Sequence, residues 1–281
     1  MPPRRVLLAT DLDRRTDRAM DRAAALAREW SAPLVVTHAI ERAPEGWPLT
    51  RPIDPRVAAM QRIREDLREP APVDLDLVVE RGDAAKLILD TVTQRECDLV
   101  VTGMARDAGP GRSSPGTPVD ALARLSPVPV LVVKTRPNRP YRHVVVATDF
   151  SEPSRDALRT TLEMFPSADI TVFHAFQVVY ESFMDDKAAA RAVEAQHADA
   201  KVRDFIAATP VGDRQLRVRS EHGSPEQALR ELVLEGGVDL VVVGTRGRGL
   251  IGQLLLGSIA RSIVSDVPAD MLIASNRAMA G

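Results

Sequence analysis

One cysteine, Cys97, stands in a chain of 281 residues, so no intrachain disulfide can form. That scarcity suits a reducing compartment, and the cytoplasm is the expected location. Cys97 precedes the apolar run Leu99–Val101 and reads as buried filler, not as a reactive thiol. Aromatic residues are also few, 4% of the chain with two Trp and two Tyr, which leaves little for the base-stacking platform of a single-strand binder. The net charge is −2, so no excess of one sign draws nucleic acid or an anionic membrane surface. No apolar run reaches the roughly 18 to 20 residues that span a bilayer. The short run after Arg4-Arg5 stops at Asp11, below the roughly 7–15 residues of a signal-peptide core. The five histidines are dispersed and lack paired cysteines, so no metal site is expected.

What the chain does contain is itself, twice. RRVLLATDLD (Arg4–Asp13) returns as RHVVVATDFS (Arg142–Ser151), and LVVTHA (Leu34–Ala39) as ITVFHA (Ile170–Ala175). RGDAAKLILDTV (Arg81–Val92) returns as HGSPEQALRELV (His222–Val233), and ECDLVVTG (Glu96–Gly103) as GVDLVVVG (Gly237–Gly244). VPVLVV (Val128–Val133) returns as VPADML (Val267–Leu272). Five matches in one order mean two copies of one domain, with a period far too long for a solenoid. The Pro-containing, basic stretch Lys134–Pro140 reads as the linker, and the domains are expected at 1–137 and 138–281.

Each copy alternates short apolar runs with amphipathic stretches. In copy one the strands are expected at Val6–Ala9, Leu34–Thr37, Leu75–Val79, Leu99–Thr102 and Val130–Val133. Helices are expected at Thr16–Trp30, Pro55–Glu69, Ala84–Gln94 and Val119–Leu125. In copy two the strands are His143–Ala147, Ile170–His174, Gln215–Ser220, Leu240–Val243 and Met271–Ala274. Its helices are Pro153–Met164, Asp185–Ala208, Pro225–Glu235 and Leu255–Ser265. Continuously apolar strands alternating with helices argue an α/β fold, a parallel sheet covered on both faces. Such sheets bind ligands beyond the carboxyl ends of the strands, where the strand order reverses.

The most telling stretch is VDLVVVGTRGRGLIGQLLLGS, Val238–Ser258. An apolar strand ends at Gly244, and a basic loop follows, punctuated by Gly247 and closed by Gly257-Ser258. Bare backbone N–H groups in such a loop, with a helix start behind them, attract phosphate. Inside it, Gly247 to Gly252 fits G-x-G-x-x-G, but the dinucleotide fingerprint belongs after the first strand of its unit, and here it follows the fourth. No G-x4-G-K-[ST] occurs, which excludes a P-loop. At the end of strand one stands Ala147-Thr148-Asp149, and at the end of strand two His174-Ala175. The residues alone leave Asp149 open between accepting from a ligand's hydroxyls and, with Ser151, capping the next helix. For His174, with no nucleophile in context, they favour a hydrogen-bonded structural role.

The spacing G-x2-G-x9-G-S, together with ATDFSE and the tandem repeat, resembles the universal stress protein family in its ATP-binding branch. The resemblance covers essentially the whole chain and is best in copy two. It implies two flavodoxin-like (Rossmann-like) domains, each a five-stranded parallel sheet with helices on both faces. It also implies a cytoplasmic stress-response role and association through the last strand of each domain, as an intrachain pseudo-dimer or a homodimer. The ligand implied is an adenine nucleotide: ATP, with AMP or ADP as alternatives and Mg²⁺ accompanying ATP. Asp149 would meet the ribose and the Ala175 backbone the adenine. The full set implied is Ala147, Thr148, Asp149, Ala175, Val243, Gly244, Gly247, Gly257, Ser258 and Ile259.

Copy one departs from this pattern. Its loop keeps the outer positions Gly103 and Gly116, but Arg106 replaces the middle glycine, and Pro110 and Pro115 remove N–H donors. Tighter nucleotide binding is therefore expected in copy two. The function expected is that of a nucleotide-binding regulator, with no catalytic residue assigned. The alternatives are a slow ATPase or autophosphorylating enzyme, and an interaction protein that binds no nucleotide.

Overall fold

The computed structural model describes residues 1–12, 17–40, 54–67, 74–104, 117–244 and 258–275. The chain divides between Pro140 and Tyr141 into two compact units. The N-terminal unit runs β1 (Val6–Ala9), α1 (Asp17–Glu29), β2 (Leu34–Ile40), α2 (Pro55–Asp66), β3 (Leu75–Arg81), α3 (Ala84–Gln94), β4 (Leu99–Gly103), α4 (Thr117–Leu125) and β5 (Val130–Val133). The C-terminal unit runs β6 (His143–Ala147), α5 (Glu152–Met164), β7 (Asp169–Phe176), a 3₁₀ turn (Glu181–Phe183), α6 (Lys187–Ala207), β8 (Arg217–His222), α7 (Pro225–Leu234), β9 (Leu240–Gly244), α8 (Ser258–Asp266) and β10 (Asp270–Ala274).

Each unit holds five parallel strands, ordered β3-β2-β1-β4-β5 in one and β8-β7-β6-β9-β10 in the other. This is the parallel α/β sheet that the alternating pattern predicts, of the Rossmann-like type that the family resemblance implies. The central strands are buried residue after residue, from Val6 to Ala9 and from Leu240 to Val243, because helices cover both faces. Each fully buried Leu or Val contributes about 1.5–3 kcal/mol. The helices supply the matching apolar stripe: Ala19, Ala23, Leu26 and Ala27 on α1, and Ala198, Val202 and Phe205 on α6, are buried at helical spacing.

A pair of aspartates fixes the register of the central strands. Asp98 Oδ2 accepts from the backbone N–H of Arg4 (2.9 Å) and Arg5 (3.2 Å), tying the start of β4 to that of β1. Asp239 Oδ2 does the same for Arg142 and His143, both at 2.9 Å, between β9 and β6. The turn before α3 and the turn before α7 also repeat. Gly82 and Gly223 take φ of +143° and +131° there, a region that only glycine enters cheaply.

Four strands run two or more residues beyond their expected ends: β3 reaches Arg81 and β8 reaches His222, each beside a neighbour that extends with it. β2 continues past Thr37 to Ile40 and β7 past His174 to Phe176, because the ladder persists through Ile40↔Arg81 and Phe176↔His222. Polar His38 and His174 break the apolar run without breaking the hydrogen bonding. The expected start of α8 at Leu255 lies outside the described residues. No helix among the described residues is long and apolar enough to cross a membrane.

Candidate functional site

In each unit the strand order reverses beside the first strand. Chain progression goes outward through β2 and β3, then returns through α3 to β4 on the other side of β1. The C-terminal unit repeats this with β6 and β9. The crevice at the carboxyl ends of β6 and β9 is where a sheet of this kind takes its ligand. Thr148 and Asp149 follow directly on β6, Gly244 ends β9, and Ala175 lies near the end of β7, paired with Glu221 of β8.

The turn after β6 is tightly specified. Thr148 N–H donates to the Phe173 carbonyl at 2.8 Å, continuing the ladder one step past the strand. Its buried Oγ1 accepts from Phe150 N–H at 2.9 Å and lies 3.0 Å from Ser154 Oγ. Phe150 is thereby held at φ +63°, a left-handed conformation that costs a residue with a Cβ about 1 kcal/mol. Asp149 Oδ1 accepts from Ser151 N–H at 3.1 Å and from Ser151 Oγ. Ser151 in turn is the N-cap of α5 and accepts from Ser154 N–H. The cap is therefore Ser151, and Asp149 sits one layer back, holding it.

His174 locks the same turn from β7. Its Nδ1 lies 2.9 Å from the Thr148 carbonyl oxygen, so Nδ1 carries the proton and donates. Burial, helped by the positive charge of Lys201, pushes the His174 pKa below its ordinary value, against the Thr148 bond and the carboxylates of Asp149 and Glu194. The ring packs on Phe150 with centroids 4.3 Å apart, and Phe150 reaches Phe205 of α6 at 5.9 Å. Phe150 is the residue that pattern reading missed. The signal was present in both copies, as an apolar residue following Thr-Asp at the end of the first strand.

Gly244 is glycine for a reason other than its backbone angle. A Cβ there would fall 2.6 Å from the Pro153 carbonyl oxygen and 3.0 Å from Ser154 N. The end of β9 thus lies directly under the first turn of α5. Ala147 and Val243 are the closing residues of the β6 and β9 runs, Val243 buried behind Gly244. Gly247 and Gly257 lie outside the described residues. Ser258 and Ile259 open α8, at the far end of that loop.

The N-terminal unit reproduces the turn. Leu12 stands at φ +58°, its N–H donating to Thr10 Oγ1 at 3.0 Å. His38 Nδ1 lies 2.9 Å from the Thr10 carbonyl, and Thr10 N–H donates to the Thr37 carbonyl at 3.1 Å. Arg106, Pro110, Pro115 and Gly116 of its loop lie outside the described residues. Elsewhere in this unit Cys97 is buried, and burial pushes its thiol up to about 12, which leaves it almost wholly protonated at neutral pH. Among the described residues no group of His, Cys, Asp and Glu is placed to hold a metal ion.

Comparison with known proteins agrees with this architecture. A universal stress protein of Thermus aquaticus is 37% identical over 51 residues, which is 18% of this chain and 37% of that protein. The chain spans about two-fifths of the length of the curated relatives it matches. Among solved structures, a functionally unknown protein from Pseudomonas aeruginosa PAO1 overlays with a TM-score of 0.69, covering 98% of this chain and 93% of that one at 19% identity. A universal stress protein from Archaeoglobus fulgidus overlays with a TM-score of 0.64, covering 96% of each chain at 19% identity. These overlays concern the fold. The model of the universal stress protein family matches twice, over residues 3–134 and 140–275, and the chain therefore belongs to that family, with two of its domains in tandem.

Proposed function

We propose that this chain binds an adenine nucleotide, ATP in the first instance, in its C-terminal unit and acts as a nucleotide-responsive regulator in the cytoplasm. One observation carries the reading. The switch point of the β6–β9 sheet brings the Asp149 turn and Gly244 to one carboxyl edge, with β7 beside them carrying Ala175. The chain leaves that edge through G-x2-G-x9-G-S and re-enters a helix at Ser258. A carboxylate for ribose hydroxyls and a glycine-bearing approach to a helix N-terminus for phosphates are the two halves such a ligand needs. AMP and ADP share the sugar half, and Mg²⁺ would accompany ATP.

A regulatory reading is preferred over a hydrolytic one because the nearest histidine serves the structure. Nδ1 of His174 is engaged by Thr148, and its ring is packed against Phe150. Occupancy would then act by favouring one conformation seen by partners. Calorimetric titration of the full chain with ATP and Mg²⁺ tests the proposal. One tight site per chain is expected, abolished by Gly247→Arg, which copies residue 106 of the first copy. An absence of binding, or two equal sites, overturns it. Slow phosphate release that tracks bound ATP and disappears in Asp149→Ala would promote the ATPase instead.

A further inference from the structure

Five of the nine large apolar residues that stand exposed among the described residues fall within one stretch: Val179, Tyr180, Phe183, Met184 and Val193. The other four are scattered, as single apolar residues on a surface ordinarily are. The stretch joins β7 to α6 and runs into the first half of that helix. Its turn is closely specified. Tyr180 takes a left-handed φ of +59°, and Phe183 N–H donates to the Tyr180 carbonyl at 2.9 Å. The Glu181 carboxylate is gripped by the Arg191 guanidinium and by His222, whose Nε2 lies 3.0 Å from Oε2. The charged side chain of the turn is thus the shielded one, and the rings face solvent: Phe183 is 86% exposed and Tyr180 75%.

α6 itself stands clear of the core at this end. It has 21 residues against 12 in α2, its counterpart. None of Lys187–His197 is buried, whereas Ala198, Val202 and Phe205 are. About three turns therefore project beyond the core, sustained by the high helix propensity of alanine. Asp186 caps them, accepting from the Ala189 N–H at 2.9 Å. At the other end Arg155 Nη1 donates to the Phe205 carbonyl and to Thr209 Oγ1, which anchors the helix on α5. The projecting end is helical, capped and apolar, and Val193 gains nothing there from burial.

We propose that this end of α6 is a self-association surface, on which α6 of a second copy of the chain packs antiparallel about a two-fold axis near Val193. The charges select that occupant. Exposed acids lead the helix at Asp185 and Asp186, and exposed cations follow at Lys201 and Arg203. Reversing the helix about Val193 exchanges positions 185 and 201, 187 and 199, and 183 and 203. Asp185 then falls opposite Lys201, Lys187 opposite Asp199, and Phe183 opposite Arg203, a cation–π partner. Within the chain Lys201 and Arg203 reach Glu194 and Asp199 at 3.9 Å, exposed pairs that contribute little. An isologous contact needs a patch that complements itself in this way. Area points to the same occupant: the five apolar side chains leave roughly 500 Å² uncovered. Two copies face to face would bury on the order of 1,000 Å², where specific interfaces begin. This surface is separate from the last-strand association that the family resemblance implies, and it does not depend on the nucleotide reading.

Sedimentation velocity of the full chain over a range of concentrations tests it. Wild type should show a self-association step in the micromolar range, as an interface at the small end of the specific class allows. Val193→Glu, which sets two like charges across the axis, should abolish that step. Asp185→Lys and Lys201→Glu should each weaken it about tenfold, and the double variant, which restores opposite signs, should regain wild-type affinity. All three positions are exposed, so the variants should fold, and unchanged circular dichroism checks that they do. A wild type that shows no self-association up to millimolar concentration overturns the inference. Self-association that Val193→Glu leaves intact also overturns it, because the contact then lies elsewhere on the chain. A double variant no tighter than either parent rules out the antiparallel pairing and the proposal with it.

Discussion

The carbonyl oxygen of Pro153 occupies the place beside Gly244 that any larger residue would need for its Cβ, 2.6 Å away in that hypothetical position. The obstructing atoms are all backbone, from the first turn of α5, so no side chain can swing aside to make room. Gly244→Ala must therefore push α5 and β9 apart. Overpacking of this kind costs about 1–3 kcal/mol. The displacement also carries Ser151, and with it the Asp149 carboxylate that Ser151 holds. Urea unfolding should show a lower midpoint at unchanged slope, and ATP affinity should fall in the same variant. Wild-type stability in Gly244→Ala would mean that the β9–α5 contact yields freely.

Leu12 and Phe150 share a left-handed backbone but not their surroundings. Phe150 packs on the rings of His174 and Phe205, and aromatic pairs of this geometry add about 0.5–1.5 kcal/mol each beyond their burial. Substituting glycine at either position relieves about 1 kcal/mol of backbone strain and returns about 0.5–1 kcal/mol as added freedom of the unfolded chain. Leu12→Gly should thus leave stability near wild type, whereas Phe150→Gly should lower it by about 1–3 kcal/mol through the lost ring contacts. Equal effects in the two variants would show that the stack on His174 contributes nothing. Leu12→Val, β-branched where a left-handed angle is required, should be worse than Leu12→Gly.

How far the fold could be read in advance depended on what kind of signal each residue sends. β1, β5, β6 and α3 begin and end at the residues that hydrophobic patterning indicates, because there the apolar run and the hydrogen-bonded run coincide. β2 and β7 outlast their patterns because His38 and His174 are polar yet remain in the ladder. The structural role of His174 was legible from its lack of a catalytic companion. Gly244 was legible as important, but its packing reason was not: sequence suggests backbone freedom and ligand approach, and the structure adds a first turn of α5 that a Cβ would strike. The left-handed angles at Leu12 and Phe150 were invisible, since no residue type there announces them. Only the hydrogen bond to the preceding Thr side chain makes them tolerable.

Tyr141 opens the C-terminal unit, and its hydroxyl donates to Asp270 Oδ2 at 2.6 Å at the start of β10. Both residues are buried, Asp270 completely, and the Tyr141 ring meets Phe165 edge-on at 5.7 Å. Tyr141→Phe keeps the ring and deletes only the donor. A buried carboxyl that loses a hydrogen bond costs about 1–3 kcal/mol, and the thermal midpoint should fall accordingly. An unchanged midpoint would show that the remaining partners of Asp270 satisfy it fully.

Acid should find the C-terminal unit through His174. Burial sets its folded pKa below the ordinary 6.5, so the unfolded chain takes up a proton more readily than the folded one. Linkage then gives the direction. Above about pH 6.5 the ring is neutral in both states and contributes no pH dependence. As the pH falls below that value the unfolded state is progressively favoured, until the ring protonates within the fold and the loss levels off. His174→Asn should sacrifice about 1 kcal/mol at pH 7.5 with the Nδ1–Thr148 bond, yet lose less stability than wild type between pH 7.5 and pH 5. The two curves should therefore converge toward acid. Parallel curves across that interval would mean that the acid response belongs to other groups, and a variant with wild-type stability at pH 7.5 would mean that the turn holding Asp149 does not need its lock.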